Sequence, residues 1–360
     1  MSYYKAPSAL QAQLWPKELM SEMPAQSFFY TKGQKMVGTP IKISPNVMSS
    51  GPDSIINVKR DLLKQKGDRI NFGIGMNYDS PWVYSDGTLI GNEGTLTDHE
   101  DVVYIDQART GVRLDGAMEE QKSSYDLRKS AKERLKLAPP TFIDAMIMRE
   151  LSGDTTFTFA NTGLAPDSSH IIYGGDATTK ATIASADWFG VQEILRMVYV
   201  AKNCDPIVPP LKIGGKEWYV ILIHSKQMYT LRADSDFKDY FKYAGVRGDE
   251  NTLFSAAGVV IGGAIIHEYD NVLTFDDYGD GANLDAARAV LLGAQAGSLA
   301  WGTMPFWRED TTSKYADYGN KPGFAMGFTA GVKKNRFNSK DYGVVVCDTY
   351  ATTPVGAAHS

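Results

Sequence analysis

Between Asp115 and Ala138 apolar residues return at helical spacing. Met118, Tyr125, Ala131, Leu135 and Ala138 form one narrow stripe, and most positions between them are charged or polar. The spacing predicts a helix. Asp115 suits its N-cap, and Glu119 and Glu120 put negative charge at the positive end of the helix dipole. Lys122, Asp126, Arg128, Lys129, Lys132, Glu133, Arg134 and Lys136 occupy the other faces, so this helix reads as a spine laid across a surface. Pro139 and Pro140 are expected to stop it, since proline removes a helix donor and crowds the preceding turn. A more apolar helix is expected from Thr141 to Leu151, closed by Gly153.

Period-two and continuous apolar runs flank that spine. Arg69-Ile70-Asn71-Phe72-Gly73-Ile74 alternates as a half-buried strand does, after a turn at Lys66-Gly67-Asp68. Val102, Tyr104 and Ile105 resume strand. The stretch between, Asn77 to Glu100, is rich in Gly, Asp, Thr and Asn, which describes a projecting β-hairpin with a long excursion. Its apolar residues, Trp82, Val83, Tyr84, Leu89 and Ile90, gain nothing by facing water, so a partner is expected to cover them. Further on, Asp187 to Lys202 is expected to be an amphipathic helix with Trp188, Val191, Leu195, Val198 and Tyr199 on one face. Trp218–Ile223 and Val259–Ile266 read as buried strands, with a short helix from Ser225. Ala286 to Trp301 fits either a small-residue helix or a strand. Phe324–Phe328 and Tyr342–Cys347 read as strands separated by a basic turn at Lys333, Lys334 and Arg336, which either meets acidic surface on a neighbouring subunit or DNA or is a solvated turn. The fold class is α+β with layers that are not sequential along the chain.

Residues 1–53 differ from all of this. Six prolines punctuate them, yet Leu14, Trp15, Phe28, Phe29 and Tyr30 are too apolar for a disordered tail, so they are expected to form an extended arm. Composition narrows the rest. A net charge of −5 over 360 residues gives no reason to expect nucleic-acid binding. The longest apolar run, near Ala256–Ile266, falls short of the ~20 residues of a membrane span, and the N-terminus has no signal-peptide pattern. Two cysteines give no disulfide framework.

Catalytic motifs fail one by one. His267-Glu268 lacks the second histidine of a zinc protease, because Asn271 stands there; Gly214-Gly215-Lys216 is followed by Glu217 where a phosphate loop needs Ser or Thr. No metal or cofactor site is expected. The one candidate is the acidic run Asp276, Asp277, Asp280 and Asp285, which a metal-dependent hydrolase could use and which otherwise is a solvated turn.

Several short motifs then occur in one order. They are Ser54-Ile55-Ile56 with Lys66-Gly67-Asp68-Arg69-Ile70, Leu89-Ile90-Gly91-Asn92-Glu93, Ile105-Asp106-Gln107, and Gln121 with Tyr125-Asp126-Leu127-Arg128. They continue with Leu292-Gly293-Ala294-Gln295-Ala296, Asp317-Tyr318-Gly319-Asn320, and Gly331-Val332-Lys333-Lys334 with Phe337-Asn338 and Asp341-Tyr342-Gly343. Over about residues 54–350 the chain resembles the N-four-like family of tailed-phage major capsid proteins, with the Hong Kong 97 type of capsid fold. The prolines at 139 and 140 depart from that pattern, in which the spine helix would continue.

The resemblance implies an N-terminal arm (1–53), a strand and extended hairpin loop (54–104), and a peripheral domain with the spine helix (105–183). It further implies an axial domain (184–323) and returning peripheral strands with a C-terminal tail (324–360). It implies a structural protein rather than an enzyme, self-assembling as pentamers and hexamers of an icosahedral shell, and located in the virion after assembly in the host cytoplasm. Scaffolding, portal and possibly decoration proteins would be its partners, and it would enclose double-stranded DNA without sequence-specific binding or membrane contact. Trp82, Tyr84, Leu89, Glu93, Arg128, Lys132, Arg134, Lys333, Lys334 and Arg336 are the expected intersubunit contacts. Another virion structural or decoration protein is the alternative, and a hydrolase built on Asp276, Asp277 and Asp280 the remoter one.

Overall fold

The computed structural model describes residues 29, 48–49, 53–63, 66–75, 82–94, 98–122, 127–213, 215–243, 259–312 and 314–351. In chain order the first elements are β1 (Met48–Ser49), β2 (Ile56–Lys59), β3 (Arg69–Gly75), β4 (Asp98–Tyr104), β5 (Asp106–Arg113), helix α1 (Ala117–Lys122) and helix α2 (Leu127–Ser152). Then come β6 (Thr158–Phe159), β7 (Asn161–Thr162), β8 (Ile171–Tyr173), α3 (Val191–Asn203), β9 (Leu211–Ile213), β10 (Lys216–Ile223), α4 (Ser225–Ala233) and α5 (Ser235–Tyr243). The last are β11 (Val259–Ile261), β12 (Ala264–Glu268), β13 (Thr274–Tyr278), β14 (Leu284–Leu292), β15 (Gly297–Asp310), β16 (Gly323–Lys334), β17 (Arg336–Phe337), β18 (Lys340–Asp341) and β19 (Val344–Tyr350).

Two sheets organise these elements. One has the order β1-β2-β15-β16-β5; the other runs β11-β12-β10-β14-β19-β8, with β13 on β14 and β9 on β10. The continuous apolar runs of the sequence are strands of the second sheet, buried on both faces. Tyr219, Ile221 and Ile223 of β10, Ala289 and Leu291 of β14, and Val345 and Cys347 of β19 pack with Ile194 and Met197 of α3. The alternate residues Val220, Leu222, Val290, Leu292, Val344 and Val346 pack with Ile143, Met146, Ile147 and Leu151 of α2. Successive strand side chains point to opposite faces, so each run feeds two cores at once. The C-terminal half of α2 is the wedge between the sheets, because its core also takes in Leu299, Trp301, Phe328, Ala330 and Val332 of the five-stranded sheet.

Several expectations need correction. The helix does not stop at Pro139 and Pro140 but runs without a break from Leu127 to Ser152, about 39 Å at ~1.5 Å per residue. Both prolines are buried, and the residues after them are anchored in the main core, so packing outweighs the lost donors. Thr141 also returns its hydroxyl to the Leu137 carbonyl at 2.9 Å. At the start of α1 the Ala117 amide donates to the Asn320 side chain at 3.1 Å, so the β15–β16 connection supplies a cap to this helix end. Residues 123–126, with Tyr125 and Asp126, lie outside the described residues, as does nearly all of the expected arm.

The 286–301 segment is two strands, β14 and β15, joined by Gly293–Ala296. Its small residues serve strand packing between two sheets rather than helix packing. Helix α3 is also rotated from expectation. Val191, Ile194, Met197, Val198 and Ala201 face the core, whereas Trp188, Leu195 and Tyr199 are exposed. Finally, the sheets cut across the expected domain limits. β15, within 184–323, pairs along most of its length with β16, while β19, within 324–360, lies in the eight-stranded sheet between β14 and the edge strand β8.

Candidate assembly surface

The base of the hairpin is firmly rooted. β3 and β4 pair antiparallel from Arg69 opposite Tyr104 to Gly75 opposite Asp98. Its inner face, Ile70, Phe72 and Val103, packs on Ala300 of β15. Lys59 of β2 donates to the Asn71 carbonyl at 2.8 Å and sits 4.4 Å over the Phe72 ring. Asn161 holds the outgoing end: its amide donates to the Tyr104 and Val332 carbonyls, both at 3.0 Å, and its oxygen accepts from the Tyr104 amide. The approach there is so close that a Cβ on Gly331 would lie 1.9 Å from the Tyr104 carbonyl oxygen. Only glycine fits at that crossing.

The tip is built differently. Its turns are closed locally, by Gly87 N–H to the Tyr84 carbonyl (3.2 Å), Asn92 N–H to the Leu89 carbonyl (2.9 Å) and Gly91 N–H to the Glu93 carboxylate (2.8 Å). Those bonds hold a shape that hides nothing: Trp82 is 82% exposed, Tyr84 80%, Leu89 60% and Ile90 83%. Of the expected contacts on the spine helix, Arg128 and Arg134 are exposed and Lys132 is half-buried, with its ammonium 5.6 Å over the Phe324 ring. Beside them, β5, α2 and β16 enclose a cleft of about 210 Å³ lined by Ala108, Arg109, Thr110, Ala138, Pro139, Phe142, Met326 and Phe328. Phe142 stacks edge-on to Phe159 at 5.4 Å and leaves over a third of itself open.

The basic turn is corrected outright. Lys333 and Lys334 end β16 and Arg336 begins β17, and all three spend their charge inside the subunit. Lys333 pairs with Asp101 of the hairpin base. Lys334 is completely buried, with Nζ 2.8 Å from Asp341 Oδ2. Arg336 Nε donates to Asp341 Oδ1 at 2.9 Å, and its Nη2 to the Ala165 carbonyl. Lys334 therefore offers nothing to a neighbour or to DNA. Burial pushes its ammonium down in pKa, and Asp341 opposes that shift.

A second buried ion pair escaped the sequence reading. Arg288 Nε and Nη2 donate to Asp348 Oδ1 and Oδ2, both at 2.7 Å, and Nη1 donates to the Ser152 carbonyl at the end of α2 at 2.8 Å. Tyr278 donates to the same carboxylate at 2.7 Å. Burial and the Asp348 charge push the Tyr278 hydroxyl well above its ordinary range. The signal was present: one Arg within AARAVLL and one Asp within VVVCDTY, each alone in a buried run, where a charge needs a partner. The acidic run, by contrast, is dispersed. Asp277 pairs with Lys180 and Asp285 with Lys226, and no cluster that could hold a metal ion occurs among the described residues.

Comparison with known proteins follows this geometry. Residues 18–353 match the phage capsid protein family. The major capsid protein of Pseudomonas phage KPP25 is 25% identical over 327 residues, covering 81% of this chain and 85% of its own. The capsid structure of Ralstonia phage GP4 superposes with a TM-score of 0.75 at 32% identity, over 85% of this chain and 90% of its own. The capsid of cyanophage Pam1 has the same fold, with a TM-score of 0.73 at 21% identity, over 84% and 90%.

Proposed function

This chain belongs to the phage capsid protein family, and from that premise we propose that the hairpin tip is the part of each subunit that another copy covers. The protein is a structural component of the virion, a major capsid protein whose copies assemble into the icosahedral shell of a phage, and not an enzyme. The finer reading is ours. The tip of one subunit lies over the spine helix of the next, with its apolar side chains against the cleft beside Phe142 and Pro139. Arg128, Lys132, Arg134 and Arg109 then face Asp86 and Glu93. Scaffolding, portal and decoration proteins are the further partners of this reading, assembly occurs in the host cytoplasm, and double-stranded DNA is enclosed without sequence recognition.

The single observation that carries it is the tip itself: four large apolar side chains, each at least 60% exposed, on a root that is packed and hydrogen-bonded. A lone subunit gains no stability from that arrangement, whereas a shell gains a buried contact at every copy. The test is a short Gly-Ser bridge joining Gly75 to Asp98 in place of residues 76–97. It spares β4, which starts at Asp98 and carries Asp101. The expected product is soluble, melts cooperatively and forms no closed shells by electron microscopy. Normal shells would remove the tip from the contact, and failure to fold would make it part of the core.

A further inference from the structure

The five-stranded sheet ends on β5, and no described strand lies along the far side of that strand. All eight of its residues pair with β16 in an unbroken register. The Leu114 amide just beyond it donates to the Pro322 carbonyl at 3.1 Å. Alternation along the antiparallel ladder then turns the main-chain groups of Ala108, Thr110 and Val112 toward β16, and those of Gln107, Arg109, Gly111 and Arg113 toward the open side. At one end this outward set is already taken: the Ile105 amide donates to the Asp68 carbonyl at 3.0 Å and the Gln107 amide to Asp106 Oδ1 at 2.7 Å. Arg109, Gly111 and Arg113 continue the edge and are exposed. Open edges are ordinarily guarded by shortness, proline, bulges or projecting cations. The sheet's other edge, β1, is guarded by its length of two residues. β5 has no proline and no bulge, and its two arginines lie back over β16 at glycines. A Cβ on Gly327 would be 2.8 Å from Arg109 Cγ, and one on Gly323 would be 3.2 Å from Arg113 Nη2. Asp310 holds Arg113 there at 3.0 Å.

We propose that β5 is a two-fold self-interface: β5 of a second copy adds antiparallel to this edge, with Thr110 opposite Thr110, and joins two five-stranded sheets into one. An icosahedral shell contains two-fold axes, and a two-fold contact brings the same patch of both copies together. The tip-to-helix contact joins unlike patches and leaves such an axis without a contact. The pairing therefore rests on shell assembly and not on where the tip lies. The sequence of β5 suits its own copy in this register. Arg109 falls opposite Gly111 and Arg113 opposite Gln107, whereas a register centred on Gly111 would set Arg109 against Arg113, and like charges directly opposite are destabilising. On the face toward α2, Ala108 meets Val112, which is 42% exposed in the single subunit, and the two threonines meet each other.

Disulfide trapping in assembled shells tests it. The Thr110 pair is a non-hydrogen-bonded one, with Cα atoms roughly 4.5 Å apart, within disulfide reach. Both native cysteines are buried. Mildly oxidised Thr110→Cys shells should shift from monomer to dimer on a non-reducing gel, while wild-type and Val112→Cys shells stay monomeric. If Thr110→Cys does not assemble, co-assembled Ala108→Cys and Val112→Cys subunits carry the same test, because those positions face each other and neither should link alone. In wild-type shells the amides of Arg109, Gly111 and Arg113 should gain hydrogen-exchange protection over the free subunit, while those of Ala108, Thr110 and Val112, already bonded to β16, change little. Monomers from Thr110→Cys shells, dimers from Val112→Cys alone, a link to a different polypeptide, or unchanged exchange at Arg109, Gly111 and Arg113 would each overturn the pairing.

Discussion

Two stretches of this chain look like surface, and only one of them is. The hairpin tip, residues 82–94, mixes glycine and acid with a few large apolar side chains and lies open to solvent. The stretch Lys333 to Arg336 has three cations in four residues, of which Lys334 is sealed and Lys333 and Arg336 are half-buried and paired. The difference lies in carboxylate partners inside the same subunit, one distant in sequence and one close by. Asp101 and Asp341 lie within reach of the cations, so their charge can be buried as pairs. Among the described residues the large apolar side chains of the tip find no cover. Cationic density says little about exposure until the matching carboxylates are located.

The sharpest way to break this contrast is Lys334→Met. If Lys334 is an internal residue, its loss leaves the buried Asp341 with Arg336 and the Asp167 amide but without its closest ammonium. Removing one member of a buried pair costs about 3–5 kcal/mol, read by urea unfolding of the unassembled subunit. A cost under about 1 kcal/mol would put Lys334 with ordinary solvated lysines. The tip should behave in the opposite way. Trp82→Ser combined with Ile90→Ser should change subunit stability by no more than about 0.5 kcal/mol, as surface substitutions do. Closed shells should nonetheless be lost in electron micrographs. A destabilised subunit with normal shells would reverse the assignment. The smallest effect is expected at the acidic run. Asp277→Asn breaks an ion pair with Lys180 in which each side chain is about half exposed, so about 0–1 kcal/mol should be lost, and thermal melting should barely move.

Much of the fold was legible because period and composition act locally. The alternating residues 69–74 and the run Trp218–Ile223 are strands because each satisfies a face or two faces of a sheet. What was illegible depended on distant packing. Nothing near Pro139 announces that β5 and β16 will press on the helix and hold it continuous. The small residues of 286–301 suit either period, and only pairing with β19 and β16 decides for strands. In the candidate site, the tip could be read from its own apolar residues. In the basic triplet, the Asp101 partner of Lys333 lies more than 230 positions earlier, whereas Asp341, the partner of Lys334 and Arg336, lies within seven residues and only the β17–β18 turn brings it back onto them.

The strand order of the larger sheet also sets a clock for synthesis. β19 sits between β14 and β8, and Val346 is the register partner of Ile171. A ribosome adding ~5–20 residues per second delivers Val346 on the order of 10–35 seconds after Ile171. Until then β8 has no neighbour in the sheet, and β14 lacks the strand that separates it from β8. A nascent subunit therefore cannot complete its larger sheet until nearly the whole described chain has been made. The larger sheet is therefore finished only as synthesis of the described chain nears its end.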